Sequence, residues 1–234
     1  MEALASPAFW IAVGQIILID ILLGGDNAVV IALACRGLPP AQRKMGIIYG
    51  TAGAIVLRVI LIAFALALLA VPYLKLVGAV LLIWIGVKLL VPHDEDEHAN
   101  ISPSDKLWGA VKTVIVADLV MSVDNVLAIA GAAESAGSHQ LGLVIFGLLV
   151  SIPIIVAGSQ IVLKLMDRFP IIITLGGMLL GWIAGQMAYT DPAAKPFLPD
   201  QKVWEYAAAA AGALLVLAIG KGIQYSRRGG SAAA

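Results

Sequence analysis

Two stretches of the sequence carry side chains able to do chemistry in an otherwise apolar setting. They are Asp20-Ile-Leu-Leu-Gly-Gly-Asp26-Asn27-Ala-Val-Val and Asp118-Leu-Val-Met-Ser-Val-Asp124-Asn125-Val-Leu-Ala. A carboxylate at the centre of a membrane-spanning helix costs about 2.5–3.5 kcal/mol on the insertion scale, so the four here cost roughly 10 kcal/mol before compensation. A cation is the natural compensating partner. The two Asp-Asn pairs offer side-chain oxygens, and backbone carbonyls can complete a coordination shell. No His lies in the apolar spans, and the lone Cys, Cys35, stands at the end of the first, away from the motif. An oxygen-only donor set suits Mg²⁺, Ca²⁺ or Mn²⁺ and argues against Zn²⁺ or Cu⁺.

Helical spacing divides the labour within each motif. Positions 20 and 27 share a face of an unbroken helix but stand about 10 Å apart along its axis, too far for one ion to bind both. Asp26, Asn27, Asp124 and Asn125 are therefore assigned to the primary site. Asp20 and Asp118 become second ligands, entry sites or proton acceptors. Gly24-Gly25 permits a helix break before Asp26, which would free carbonyls for an ion. The second copy has Ser122-Val123 there, so its break is less secure. Met121 stands three residues before Asp124 and could offer a thioether, although a packing methionine is the commoner case. Structural glue is the competing reading of an Asp-Asn pair, but hydrogen-bonding glue needs no carboxylate.

The elements that must position these residues follow from composition. The chain of 234 residues is 61% hydrophobic and 13% charged, with a mean hydropathy of +0.97. Seven apolar segments cover 9–35, 46–70, 73–91, 108–133, 141–163, 170–189 and 203–223. These are helix-length runs, whereas a β-barrel would show short alternating segments. The expected fold class is an all-α membrane protein of seven transmembrane helices, forming a single transmembrane domain over 1–234. The second and third spans, joined at Val71-Pro72, are expected to form a tight antiparallel pair. The alanine run 207–211 predicts close helix packing. The N-terminus lacks a positive region and Asp20 interrupts the first apolar run, so a cleaved signal is not expected. Cys35 is the lone cysteine, which excludes a disulfide framework or a thiolate cluster.

Shifting the sequence by 98 residues lays it on itself: Asp20 on Asp118, Asp26 on Asp124, Asn27 on Asn125, Gly78 on Gly176, and Trp84-Ile85 on Trp182-Ile183. Gly50 falls on Gly147, one residue out of register, as a one-residue deletion gives. Each copy holds three spans, and an odd number reverses the second copy across the membrane. The expectation is a 3+3 inverted-topology repeat, with repeat one at 9–91 and repeat two at 108–189. The seventh span is then a C-terminal accessory helix. Such repeats place a transport site at their interface near mid-membrane.

Lys and Arg bias sets the orientation. With the N-terminus outside and the C-terminus in the cytoplasm, eleven basic residues fall inside and three outside. The acidic stretch His93-Asp-Glu-Asp-Glu-His98, in the loop 92–107, is then cytoplasmic, and reads as a solvated loop or an ion-gathering lure. Arg58, within the second span, either pairs with a buried Asp when the ion has left or snorkels. Lys88 and Lys164 snorkel. Gln15, Thr113, Ser151, Gln160 and Gln186 either line a pathway or bond between helices. Pro153 implies a kink in the fifth span. Trp84 and Trp182 read as packing. The tail Gly229–Ala234 reads as disordered.

The motifs Gly24-Gly25-Asp26-Asn27-Ala-Val-Val-Ile and Asp118-Leu-Val-Met-Ser-Val-Asp124-Asn125-Val-Leu-Ala-Ile resemble those of the TerC family of bacterial membrane proteins, over roughly 9–223. The family is named for tellurium resistance, has members linked to Mn²⁺ export, and is similar to LysE-type transporters. The resemblance implies seven spans, a bacterial inner membrane, Mn²⁺ as the ion, and Asp20, Asp26, Asp118 and Asp124 as ligands.

The expected function is secondary export of a divalent cation, Mn²⁺ by the resemblance, with protons or the membrane potential as the drive. The ion is a transported substrate, and no cofactor is expected. No P-loop, nucleotide fingerprint or Ser-His-Asp set appears, so neither an enzyme nor an ATP-driven pump is expected. Net charge is zero without a basic stripe, which excludes nucleic acid as a partner. The partners expected are the metal ion, protons, the lipid bilayer and a second copy through small-residue faces. The alternative is a non-transporting scaffold of a metal or oxyanion stress-resistance complex.

Overall fold

Proline marks where helices begin in this chain. Pro40 and Pro103 occupy first-turn positions, where a missing N–H costs nothing, and Pro170 precedes a third helix. The computed structural model describes residues 11, 14, 17, 18, 25–64, 71–91, 102–134, 140–199 and 201–231; the side chains of 63, 103, 124–134, 140–144 and 227–231 are outside the description. The described elements are α1 (Gly25–Cys35), α2 (Pro40–Ala63), α3 (Leu74–Leu90), α4 (Pro103–Glu134), α5 (Gln140–Arg168), α6 (Ile171–Tyr189), a 3₁₀ turn at Lys195–Phe197, and α7 (Lys202–Ser231). Among the described residues there is no strand.

Among the described residues four stretches are long and apolar enough to cross a membrane: Pro40–Ile62, Ile145–Arg168, Ile171–Tyr189 and Lys202–Ser226. With them the chain is a multi-pass, all-helical membrane protein. Several boundaries differ from the expected ones. The helix expected from 46 begins at Pro40, because Pro39-Pro40 starts a helix as readily as it ends one. The tail expected to be disordered from Gly229 instead continues α7 as far as Ser231. α5 runs through Pro153, which removes the N–H that the Leu149 carbonyl would accept.

Small residues decide which helices meet. A side chain on Gly181 would strike the backbone of Gly212, and one on Gly185 that of Ala208 and Ala209, so α6 and α7 touch backbone to backbone. That bears out the reading of the alanine run. Gly50 and Gly53 admit Val114 and Ile115, seating α2 on α4. Gly78 of α3 faces Val120 of α4, and Gly176 of α6 faces Val29 and Leu33 of α1. α3 also packs on α6 and α7, α1 packs on α5, and α1 meets α4.

Among the described residues, which leave out 65–70, the expected antiparallel pairing of the second and third spans is not found: α2 packs on α4, α5 and α1, and has no comparable interface with α3. A short connection fixes only two helix ends. The glycine faces fix the rest: Gly50 and Gly53 seat α2 on Val114 and Ile115 of α4, whereas α3 meets α4 at Val120 through Gly78 and turns Gly86 to Gly177 and Leu180 of α6 and Val216 of α7.

Polar straps hold both ends of the bundle. At one, Arg36 Nη2 donates to the Leu89 carbonyl at 2.8 Å, Gln224 Nε2 to that of Leu90 at 2.9 Å, and Arg43 forms an ion pair with Asp167 at 2.8 Å. At the other, buried Asp191 accepts N–H bonds from Tyr73 (3.2 Å), Leu76 (3.2 Å) and Ala193 (2.8 Å). It thereby caps α3 from another helix's loop. α3 lacks a cap of its own, because Tyr73 stands before it at φ 65 with no side-chain bond to the helix.

Burial pushes the Asp191 carboxyl up, but the N–H groups of Ala193, Leu76, Tyr73 and Lys75 outweigh it and hold the carboxyl below its ordinary 3.8. A depressed folded pKa contributes stability above the unfolded value, and that stability is lost as pH falls through the folded one. Asp191→Ala is expected to cost about 1 kcal/mol at neutral pH, the worth of an ordinary cap. Thermal unfolding in detergent should show the gap from wild type closing below pH 3.8.

Candidate functional site

Asp118 and Ser122 stand one turn apart on α4, and Arg58 reaches them from α2. Their faces meet because Gly50 and Gly53 bring α2 close to α4. The Arg58 Nη2 to Asp118 Oδ1 distance is 2.5 Å, and Arg58 Nε donates to Ser122 Oγ at 3.1 Å. The Ser122 hydroxyl donates to Asp118 Oδ2 at 3.1 Å. Both carboxylate oxygens are therefore engaged. Arg58 is 3% exposed and Asp118 5%, so this is a buried ion pair with no bulk water to screen it.

On the facing side, α1 opens with Gly25-Asp26-Asn27. Asp26 Oδ1 accepts the Asn27 backbone N–H at 2.8 Å, and Asp26 lies within coulombic reach of both Arg58 and Asp118. The Asn27 side chain is 3% exposed, and neither its Oδ1 nor its Nδ2 has a hydrogen-bond partner among the described residues. A buried amide so left costs roughly 1–3 kcal/mol for each unmet group. Its oxygen is an available ligand for a cation, and its amide N–H₂ can only donate to an acceptor.

Of the six sequence-derived site residues, the structure describes the side chains of Asp26, Asn27 and Asp118: Asp26 opens α1 within coulombic reach of Asp118 on α4, and Asn27 is buried next to it. Asp20 lies outside the described residues. Asp124 and Asn125 are on α4, but their side chains lie outside the description. Among the described residues no three His, Cys, Asp or Glu side chains converge on a point. The helix break considered for the second motif is absent: α4 is continuous from Pro103 to Glu134, and Ser122 is an ordinary helical residue. Gly25 is helical, while Gly24 falls outside the described residues. The acidic loop His93–His98 and Gln15 also lie outside them.

Other polar side chains have structural employment. Thr113 and Ser151 donate to their own helices, at Gly109 and Leu148, and Gln186 reaches Glu205 of α7. Met121 is buried in the apolar core. Lys88 lies 5.1 Å from the centre of the Trp84 ring, and Trp182 lies against Tyr206. Ser122 was the residue that spacing alone missed. It looked like a failed glycine, although a hydroxyl four residues after an intrahelical carboxylate is itself a signal for a hydrogen bond.

The sequence profile described as integral membrane protein TerC family matches residues 5–228. The membrane protein YjbE of Bacillus subtilis, named as uncharacterized, is 42% identical over 173 residues, 74% of this chain and 77% of that one. YceF of the same organism is 29% identical over 195 residues, 80% of this chain and 74% of that one. The inner membrane protein YgdQ of Escherichia coli K12 is 25% identical over 183 residues, 71% of this chain and 75% of that one. No solved structure matches the chain.

Proposed function

Since the chain belongs to the TerC family of integral membrane proteins, we propose that it is a secondary transporter exporting a divalent metal cation, Mn²⁺ in the first instance. The observation that carries this reading is Asn27, buried beside Asp26 with an amide oxygen that has no partner among the described residues, on a helix that meets the one carrying ion-paired Asp118. Scaffolding requires no such arrangement, whereas an ion in transit needs oxygens that can be engaged and released. Asp26, Asn27, Asp124 and Asn125 form the primary site in this reading. Asp20 and Asp118 serve as flanking ligands or proton acceptors.

The reading includes seven spans and an inverted repeat. Support comes from the packing: exchanging α1, α2 and α3 with α4, α5 and α6 turns α1–α5 into α4–α2, α3–α4 into α6–α1, and α1–α2 into α4–α5. The pairs α1–α4, α2–α5 and α3–α6 map onto themselves, and among the described residues α5–α6 alone has no counterpart. The basic residues favour an inner membrane location with the N-terminus outside and the C-terminus in the cytoplasm. The inner membrane relative from Escherichia coli favours the same compartment. Protons or the membrane potential supply the drive, since the sequence holds no nucleotide motif.

The direct test is a crystal grown with Mn²⁺ and measured on both sides of the Mn absorption edge. The expected result is one anomalous peak between α1 and α4, within ligand distance of Asn27 Oδ1. Strong Mn²⁺ peaks elsewhere with none there would sink the assignment.

A further inference from the structure

The described side chains of the two motifs are engaged differently. Asp118 has both oxygens engaged, by Arg58 and Ser122, whereas the Asn27 amide on the α1 side has no partner among the described residues. The repeat partner of Ser122 is Gly24, which has no hydroxyl. The repeat partner of Arg58 is Ile155 or Val156, depending on the one-residue gap, and neither carries charge. The guanidinium beside Asp118 thus has no repeat-related counterpart in the sequence.

Building on the transport reading, we propose that Arg58 is a resident cation that competes with the transported ion for Asp118. While Arg58 holds Asp118, an arriving ion meets the Asp26–Asn27 arm. Full coordination requires Asp118 to exchange one cation for another. On release the guanidinium returns, so the empty site is never left with that carboxylate unpaired in a medium of low dielectric. Stabilising the empty site in this way weakens ion binding and speeds release. Arginine suits the task because it stays charged and its planar fork matches a carboxylate and a neighbouring hydroxyl together.

The test compares wild type, Arg58→Gln, Arg58→Lys and Ser122→Ala in proteoliposomes, measuring Mn²⁺ uptake rates beside equilibrium Mn²⁺ binding. Arg58→Gln removes the competitor, and the expected result is Mn²⁺ affinity at least about fivefold tighter, the lower end of ordinary coupling between two ligands, with a lower maximal rate. Ser122→Ala loosens the pair without removing charge and should shift affinity the same way by less. It also answers the question where Arg58→Gln does not fold. Arg58→Lys keeps the charge and should move affinity least. A purely structural Arg58 would lose rate without gaining affinity, and unchanged or weaker Mn²⁺ binding in the folded Gln and Ala variants overturns the proposal. Absence of Mn²⁺ flux and binding in wild type overturns the transport reading, and this inference with it.

Discussion

Cells producing the Asp26→Asn or Asp124→Asn protein are expected to hold as much Mn²⁺ as cells without the protein, while wild type lowers the cellular content. Each substitution keeps side-chain size and one oxygen but removes a full negative charge. Affinity of oxygen sites for divalent ions is tuned by the number of charged ligands. Losing an inner ligand should cost at least the ~10–100-fold that loss of an outer-shell partner costs. The two positions are 98 residues apart and occupy the same place in the repeated motif, so their losses should match. Elemental analysis of cells grown in excess Mn²⁺, with membrane levels of each variant checked, gives the answer. Normal export by both variants would favour the scaffold reading. Loss in one variant alone would show that the repeat does not build one symmetric site.

Much of this arrangement was legible in the sequence because an Asp in a helix-length apolar run is conspicuous. The doubled motif and the helical content follow from local facts, namely residue type and spacing. Tertiary choices were not local. Arg58 is the single basic residue of its span, and its spacing to Asp118 across two helices has no period to read. The expected pairing of α2 with α3 failed for a related reason: a tight turn is visible in sequence, but the glycine faces that override it show only once the helices are placed. Asp191 is equally hard to read, because Asp191-Pro192 in the sequence signals a turn and nothing more. The missing signal lay elsewhere in the chain, where α3 begins after Val-Pro-Tyr without any Ser, Thr, Asp or Asn to cap it.

Breaking the Arg58–Asp118 pair from either side should destabilise the protein far more than removing both partners. Arg58→Met leaves Asp118 buried without its cation, and Asp118→Leu leaves a buried guanidinium without its carboxylate. Either change removes one half of a 2.5 Å pair between side chains that are almost fully enclosed. Losses of about 3–5 kcal/mol are usual for such single removals, because the remaining charge keeps its desolvation cost and loses its compensation. In the double variant neither charge of the pair is left to desolvate, and Met with Leu keeps the space filled. Ser122 can then turn its hydroxyl to the carbonyl of residue 118, a bond open to any helical serine. Thermal unfolding in detergent should therefore place the double variant near wild type, with both single variants well below it. Mn²⁺ transport is expected to separate from stability in the same set. The double variant should fold yet transport poorly, because the Asp118 arm is gone. A double variant as unstable as the singles would mean that the pair holds α2 to α4 in its own right, and that the apolar contacts at Gly50 and Gly53 do not suffice. A stable double variant with full transport would remove Asp118 from the ion's path and leave the work to the two Asp-Asn pairs alone.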